Sequence, residues 1–318
     1  MNRPVVCVCI VTYNQCDFID ACLRSVLEQR VEGELHVLVG DDASNDGTSA
    51  IIARVAGEYP GRIEHILRDP RLGPFENMRE LILRADGDFI ARVDGDDYWL
   101  PDKLQRQLSF LQANPDCAAV YTNAITVDEA GNRTGLFNDV GDGHFDLAAT
   151  LRRGNFLNNS SGLFRAAGRQ AWLDVAEPQI DYQAHLWHAR HGWLGHIGQP
   201  LAAYRVNTQG SMVTGMNERV RELYWQAIQS VPRQLVSDGD YAHGLADFLR
   251  RVFFRAVRTR QPRLFRAWRK RVLEASPRGA LRMDALTFAA ILRITAKEAV
   301  GRFRHDANGR RLRVLYRH

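Results

Sequence analysis

The chain of 318 residues is 45% apolar and 25% charged, the proportions of an ordinary soluble globular protein, which excludes extended disorder, collagen-like repeats and low-complexity architecture. Its length suits one large domain or two ordinary ones, and no window reaches the roughly 18 uninterrupted apolar residues of a spanning helix. The net charge of +5 is unevenly divided: residues 215–318 carry 23 Lys and Arg against 9 Asp and Glu, net +14, and residues 1–214 carry 19 against 28, net −9. The acidic part suits a metal ion. The arginine-rich part suits phosphates of lipid or nucleic acid. The shift sets an expected boundary near Gly215, giving regions 1–214 and 215–318.

Val5–Val11 is a short Val-rich run fit for a fully buried strand. It is too short and too close to Thr12-Tyr13-Asn14 to be a signal peptide. Four of the five cysteines lie in the first 22 residues with no Cys-x-x-Cys spacing, which predicts reduced thiols in a cytoplasmic protein. Phe18–Gln29 has helical apolar spacing, with Asp17 as its expected N-cap. Leu35–Val39 is a second strand, ending at Gly40-Asp41-Asp42. A helix over Thr48–Val55, a strand over Arg62–Leu67 and a helix over Pro74–Arg84 follow. Phe89–Val93 is a fourth strand, ending at Asp94, and Pro101–Gln112 is a helix opened by its proline. This alternation predicts a mostly parallel sheet with helices on both faces.

The pattern then weakens. Ala118–Tyr121 and Ala124–Val127 read as strands and Asp128–Gly143 as a Gly/Asp/Asn-rich loop. Asp181–His191 reads as a helix and Pro200–Val206 as a last strand. Helices are expected over Glu218–Gln229, Tyr241–Thr259, Arg263–Glu274 and Ala285–Phe303.

Three strand ends carry the unusual polar residues, and ligands of open parallel sheets bind at strand carboxyl ends. Asp94-Gly95-Asp96-Asp97 places three carboxylates in four residues, with Gly95 letting the backbone turn. Hard cations such as Mg²⁺ or Mn²⁺ take such oxygens and keep positions for substrate phosphates; a solvated turn is the plainer alternative. Asp41 and Asp42 leave a neighbouring strand, where a buried carboxylate can accept from a base N–H or from ribose hydroxyls. His185, His188 and His191 lie at i, i+3, i+6, where a polar helix face outweighs a metal site.

Val11-Thr12-Tyr13-Asn14, then Asp41–Thr48, then Asp94–Trp99 with Leu100-Pro101-Asp102-Lys103-Leu104, resembles in order and spacing the family 2 glycosyltransferases of the GT-A fold. The resemblance covers residues 4–214. It implies an α/β GT-A domain with a mostly parallel central sheet; the helical C-terminal region lies outside the resemblance. It implies metal-dependent, inverting sugar transfer from a nucleotide-diphosphate donor, a UDP-sugar first, with Mn²⁺ or Mg²⁺ as cofactor. Thr12 and Tyr13 would lie by the nucleotide, Asp41 and Asp42 would hold base and sugar hydroxyls, and Asp94 would contact ribose. Asp96, with Asp97 second, would bind the metal. Asp181, at the head of its helix, would be the general base, with Asp174 and Glu177 as nearby alternatives. Ile180 stands where the family usually has Glu. Arg205, in Tyr204-Arg205-Val206-Asn207, would contact diphosphate or brace the fold. Asn158–Gly162 resembles the acceptor-side loop.

The expected acceptor is a glycan or lipid-linked glycan of bacterial surface polysaccharide. The basic region, with Phe248, Phe253, Phe254, Phe265 and Trp268 among its arginines, suits an anionic membrane surface at the inner face more than nucleic acid, or a solvated bundle packed on the first region. The alternatives are a nucleotidyltransferase, disfavoured because no Gly-rich Lys-bearing phosphate loop follows the first strand, and a non-catalytic nucleotide-sugar-binding or membrane-associated protein.

Overall fold

The computed structural model describes residues 3–173, 179–206, 218–301 and 313–316. The first third alternates as the periodicity predicts: β1 (Val5–Thr12), α1 (Ile19–Leu27), β2 (Glu34–Asp41), α2 (Thr48–Glu58), β3 (Ile63–Leu67), α3 (Pro74–Arg84), β4 (Phe89–Asp94) and, after a short unpredicted β5 (Tyr98–Trp99), α4 (Lys103–Ala113). The side-chain alternation of β1 feeds two cores. Val6, Val8 and Ile10 pack with Ile19, Leu23 and Val26 of α1. Cys7 and Cys9 face the other way, with Met78, Leu81 and Ile82 of α3. All five cysteines are free thiols. Two helix starts in this first third differ from expectation. Phe18, not Asp17, occupies the N-cap of α1, and no side chain caps it. The next helix opens at Lys103 rather than Pro101, because Asp102 is left-handed at φ 65° and interrupts the turn.

The middle of the chain forms β6 (Cys117–Val127), β7 (Arg133–Asn138), β8 (Gly143–Phe145), α5 (Leu147–Arg153), β9 (Leu163–Arg165), α6 (Gln170–Leu173), α7 (Asp181–His191) and β10 (Trp193–Arg205). The two expected strands over 118–127 are one. Asn123 and Asn138 hold the interruption together: Asn123 Nδ2 donates to Asn138 O at 3.0 Å, and Asn138 N to Asn123 Oδ1 at 3.2 Å. The expected loop at 128–143 contains β7 and the start of β8. Buried polar groups thus find partners inside the sheet instead of in water.

The sheet runs β3-β2-β1-β4-β9-β6-β7, with β10 beside β6 and also pairing β5 and β8. Its long pairings, β1–β2, β1–β4, β2–β3 and β6–β10, are parallel. The antiparallel pairings made by β9, β7, β5 and β8 span two or three positions each.

The C-terminal region contributes α8 (Glu218–Gln229), α9 (Asp238–Arg258), α10 (Pro262–Ala275), α11 (Ala280–Gly301) and β11 (Arg313–Tyr316). Ser237 caps α9, accepting from Asp240 N at 3.1 Å. These helices have no core of their own: Trp225, Tyr241, Leu245 and Trp268 share one with Leu151, Phe156 and Tyr182. Buried Asp247 anchors the contact. It accepts from Arg250 Nε at 3.0 Å and Arg251 Nε at 2.8 Å, and Arg251 Nη2 continues to Arg153 O at 3.2 Å. β11 adds a parallel strand beside β7. No described helix is long and apolar enough to cross a membrane.

Candidate active site

Strand register brings the three polar strand ends together. Thr12 lies opposite Asp41, and Val11 opposite Asp94. Gly95 is needed there: a Cβ would collide with Thr12 and with Gln15 Oε1, at 2.5 Å from the latter. Thr12 is buried and donates through Oγ1 to Gln15 Oε1 at 2.8 Å. Asp42 N donates to Thr12 O at 3.0 Å, locking the two strand ends.

Asp41 is buried and accepts from Ser44 N at 3.0 Å and from the Ser49 hydroxyl, with His65 Nε2 at 3.7 Å. Burial works to raise its pKa. The nearby His65 ring and the hydrogen bonds from Ser44 and Ser49 overcome this and hold it at about 2, so the group is an ionised acceptor. Asp42 is buried too, but its oxygens are engaged by the loop before α3. They accept from Leu72 N at 2.7 Å, Gly73 N at 3.0 Å and Arg71 Nε at 3.0 Å. The Arg71 guanidinium in turn lies 3.5 Å over the ring of Tyr13. Asp42 therefore shapes the wall beside Tyr13 and Arg71.

In the Asp-Gly-Asp-Asp turn the three carboxylates separate. Asp94 and Asp96 are partly exposed, and Asp97 is buried beneath them. Asp97 Oδ1 accepts from Arg205 N at 2.8 Å, and its Oδ2 is buried without a hydrogen-bond partner. Burial first, then Asp96 and Asp94, push the Asp97 carboxyl well up. Among the described residues no three His, Cys, Asp or Glu side chains converge as a finished metal cage. The donor set nonetheless fits Mg²⁺ or Mn²⁺. Hard oxygens repel one another around an orphaned one, and such ions complete their shell with water and phosphate oxygens. Arg205 is spent as a brace: Nε donates to Asp96 O at 3.0 Å and Nη1 to Asp128 O at 2.6 Å and Glu129 O at 2.9 Å.

Across from this turn stands Asp181, the first residue of α7, with Ile180 at the N-cap. Asp181 Oδ1 accepts from Asn159 Nδ2 at 2.6 Å and lies 3.5 Å from Arg92 Nη1. The side chain keeps 45% of its accessible surface. Burial pushes the carboxyl up, Arg92 and Asn159 pull it down and Asp94 pushes it up, leaving it at about 6. Ser160 Oγ accepts from Asp94 N at 3.2 Å, so the 158–162 segment links the turn to Asp181. Asp174, Glu177 and Asn207 lie outside the described residues.

His185 and His188 are buried and held neutral. Burial drives both down, His188 to about 3. Their rings pack on Tyr121 and Phe164, and His191 Nδ1 bonds Trp187 O at 2.9 Å. Sequence reasoning missed Arg92 and Arg71, and placed Asn159 in the acceptor-side loop without a partner. The signal for Arg92 was available: a charged residue inside the apolar run of β4.

Residues 7–165, half of the chain, match the profile Glycosyl transferase family 2. The chain is 29% identical over 219 residues to protein Mb1547 of Mycobacterium bovis, covering 68% of this chain and 62% of that one. It is 32% identical over 129 residues to TuaG of Bacillus subtilis, named as a teichuronic acid biosynthesis glycosyltransferase, covering 41% and 50%. The matches thus span less than two thirds of these relatives. Among solved structures, S. aureus TarS 1–349 in complex with UDP-GlcNAc superposes with TM-score 0.63 at 17% identity, covering 96% of this chain and 94% of TarS. The mannosyltransferase PcManGT of Pyrobaculum calidifontis, in complex with GDP-Man and Mn²⁺, gives TM-score 0.57 at 20% identity, covering 94% and 81%. The fold is that of the GT-A glycosyltransferases. The chain belongs to glycosyl transferase family 2.

Proposed function

We propose that the chain transfers a sugar, with inversion and with a divalent cation, from a nucleoside-diphosphate donor to a glycan or lipid-linked acceptor of surface polysaccharide. One observation carries the reading: Asp181 and the Asp94–Asp97 turn meet at Arg92, whose Nη1 lies 3.5 Å from Asp181 Oδ1 and whose Nη2 lies 3.9 Å from Asp94 Oδ1. Ionised Asp41 would accept from base or ribose, and Tyr13 and Arg71 would flank the nucleotide. Asp96 would hold Mn²⁺ or Mg²⁺, with Asp97 below it. Bound there, the cation would supply charge neutralisation for the leaving diphosphate. Asp181 takes the proton of the acceptor hydroxyl as its oxygen bonds the anomeric carbon. The bond from that carbon to the diphosphate oxygen breaks, and the electron pair leaves with the diphosphate. TarS and PcManGT support the donor class and the cation, and TuaG supports the polysaccharide setting.

The test is thermal stabilisation by a panel of nucleotides and nucleotide sugars, with and without Mn²⁺, on wild type and Asp96→Ala. Saturating ligand at about a hundredfold over Kd stabilises by about 2.7 kcal/mol. The cation-dependent part should vanish in Asp96→Ala; its persistence overturns the metal assignment. A wild type that binds donor and cation yet transfers to no acceptor or water is a binding protein.

The basic region supports work at an anionic membrane surface. Leu281, Phe288 and Leu292 of α11 are 89%, 61% and 52% exposed. Ala285, Ala289, Ala296 and Ala299 continue the same exposed stripe, with exposed Arg282 and Arg293 along one side. An apolar face edged by arginines suits the boundary of an anionic bilayer.

A further inference from the structure

We propose that Arg92 is a positioning residue: it aims the Asp181 carboxylate and ties that aim to the donor side of the site. The proposal rests on the reading of Asp181 as general base. Arg92 sits in the middle of β4, opposite Cys9 of β1, and is 8% exposed. Its Nη1 lies 3.5 Å from Asp181 Oδ1, and its Nη2 lies 3.9 Å from Asp94 Oδ1. The guanidinium rests 5.0 Å over the Trp172 ring. Nε and Nη1 are buried without hydrogen-bond partners.

This is unlike the bracing arginines of the same chain. Arg205 and Arg165 spend their guanidinium groups on backbone carbonyls; Arg165 reaches Cys117 O, Leu111 O and Asn114 O at 3.1, 2.7 and 3.2 Å. Arg92 instead spans two carboxylates, one from each half of the site. A planar, permanently charged fork can address both at once, and a lysine ammonium cannot.

The geometry has a consequence for Asp181. Asn159 and Arg92 both approach Oδ1. The Asn159 hydrogen bond and the Arg92 charge, from different elements, hold that oxygen and leave Oδ2 for the acceptor hydroxyl. Among the described residues, the charged or titratable groups around the carboxylate are Arg92 and Asp94 from β4, Tyr121 from β6, Tyr224 from α8 and Tyr316 from β11. Next to it on α7 stands neutral His185. Arg92 is the one cation among them.

The experiment compares wild type, Arg92→Met, Arg92→Lys and Asp181→Asn in the full chain. Transfer kinetics across pH are measured with UDP plus Mn²⁺ calorimetry and ¹³C-carboxyl NMR of labelled aspartate, the Asp181 signal being assigned by its loss in Asp181→Asn. Arg92→Met should lower kcat by about 10- to 100-fold through misplacement of the base. It should leave nucleotide affinity unchanged and move the acidic limb of activity and the Asp181 titration to higher pH. Arg92→Lys should recover part of each. An Arg92→Met enzyme with wild-type kcat and an unmoved Asp181 titration overturns the proposal. So does a kcat loss matched by lost UDP binding, which marks a structural role; Arg92→Lys serves the same comparison where the Met variant does not fold. Wild-type transfer by Asp181→Asn would overturn the base reading instead, while the NMR titration would still report on Arg92.

Discussion

A carboxylate that must be ionised to accept a proton sets the pH dependence of its reaction. Asp181 is raised to about 6, so kcat should fall as pH drops through about 6, approaching tenfold per unit below it. Asp181→Asn should lose about 10²–10⁴-fold in kcat, lose that limb, and keep donor affinity. Asp174→Asn and Glu177→Gln are the controls, and collapse of either with Asp181→Asn active reassigns the base. Asp42 predicts a different result. Asp42→Ala releases two backbone N–H groups and Arg71, costing about 1–3 kcal/mol of stability. Nucleotide affinity should weaken while kcat at saturation holds, as calorimetry and kinetics would separate. At this scale the sequence locates carboxylates, because Asp at strand ends is conspicuous. It cannot show that Asp42 faces a loop thirty residues on, or that Arg205 turns toward carbonyls, because both depend on tertiary approach.

Elements were most legible where one period dominates. β1 to α4, the two-residue β5 apart, follow from Val-rich runs and helical spacing. β7 and the first half of β10 do not, since Gly135, Gly195 and Gly198 break their patterns, and β10 shifts register against β6 near Ile197 and Pro200. The docking of α9 on α5 was also hidden: Asp247 reads as a surface acid on an arginine-rich helix. Burial works against its charge, and Arg251 and Arg250 overcome this to hold it at about 2. Its contribution to stability is present above the ordinary Asp value near 4 and is lost as pH falls toward 2. Asp247→Ala leaves Arg250 buried without its counter-charge and should destabilise by about 3–5 kcal/mol at neutral pH. Denaturant unfolding at pH 7 and near pH 3 checks this, with a smaller difference expected in acid.

For the molecule as a whole, the charge split along the sequence carries over into a basic helical layer built on the same core as the acidic sheet. If that layer meets an anionic bilayer through α11, vesicle sedimentation of the full chain should weaken with salt as exposed charges are screened. Phe288→Asp should weaken it further without changing nucleotide affinity. Equal binding to neutral and anionic vesicles counts against the surface, and tight RNA binding without vesicle binding assigns the charge to nucleic acid. The parallel pairing of β11 with β7 has a bearing on how the chain is made. Residues 133–138 leave the ribosome long before 313–316, so the β7 edge stays open through the synthesis of every C-terminal helix. An open edge invites pairing with other chains. The backbone of Arg313 seats closely on Gly135, where a Cβ would strike Arg313 O. Gly135→Ala should therefore leave early folding intact and raise aggregation of newly made protein, readable as a loss of soluble yield during translation.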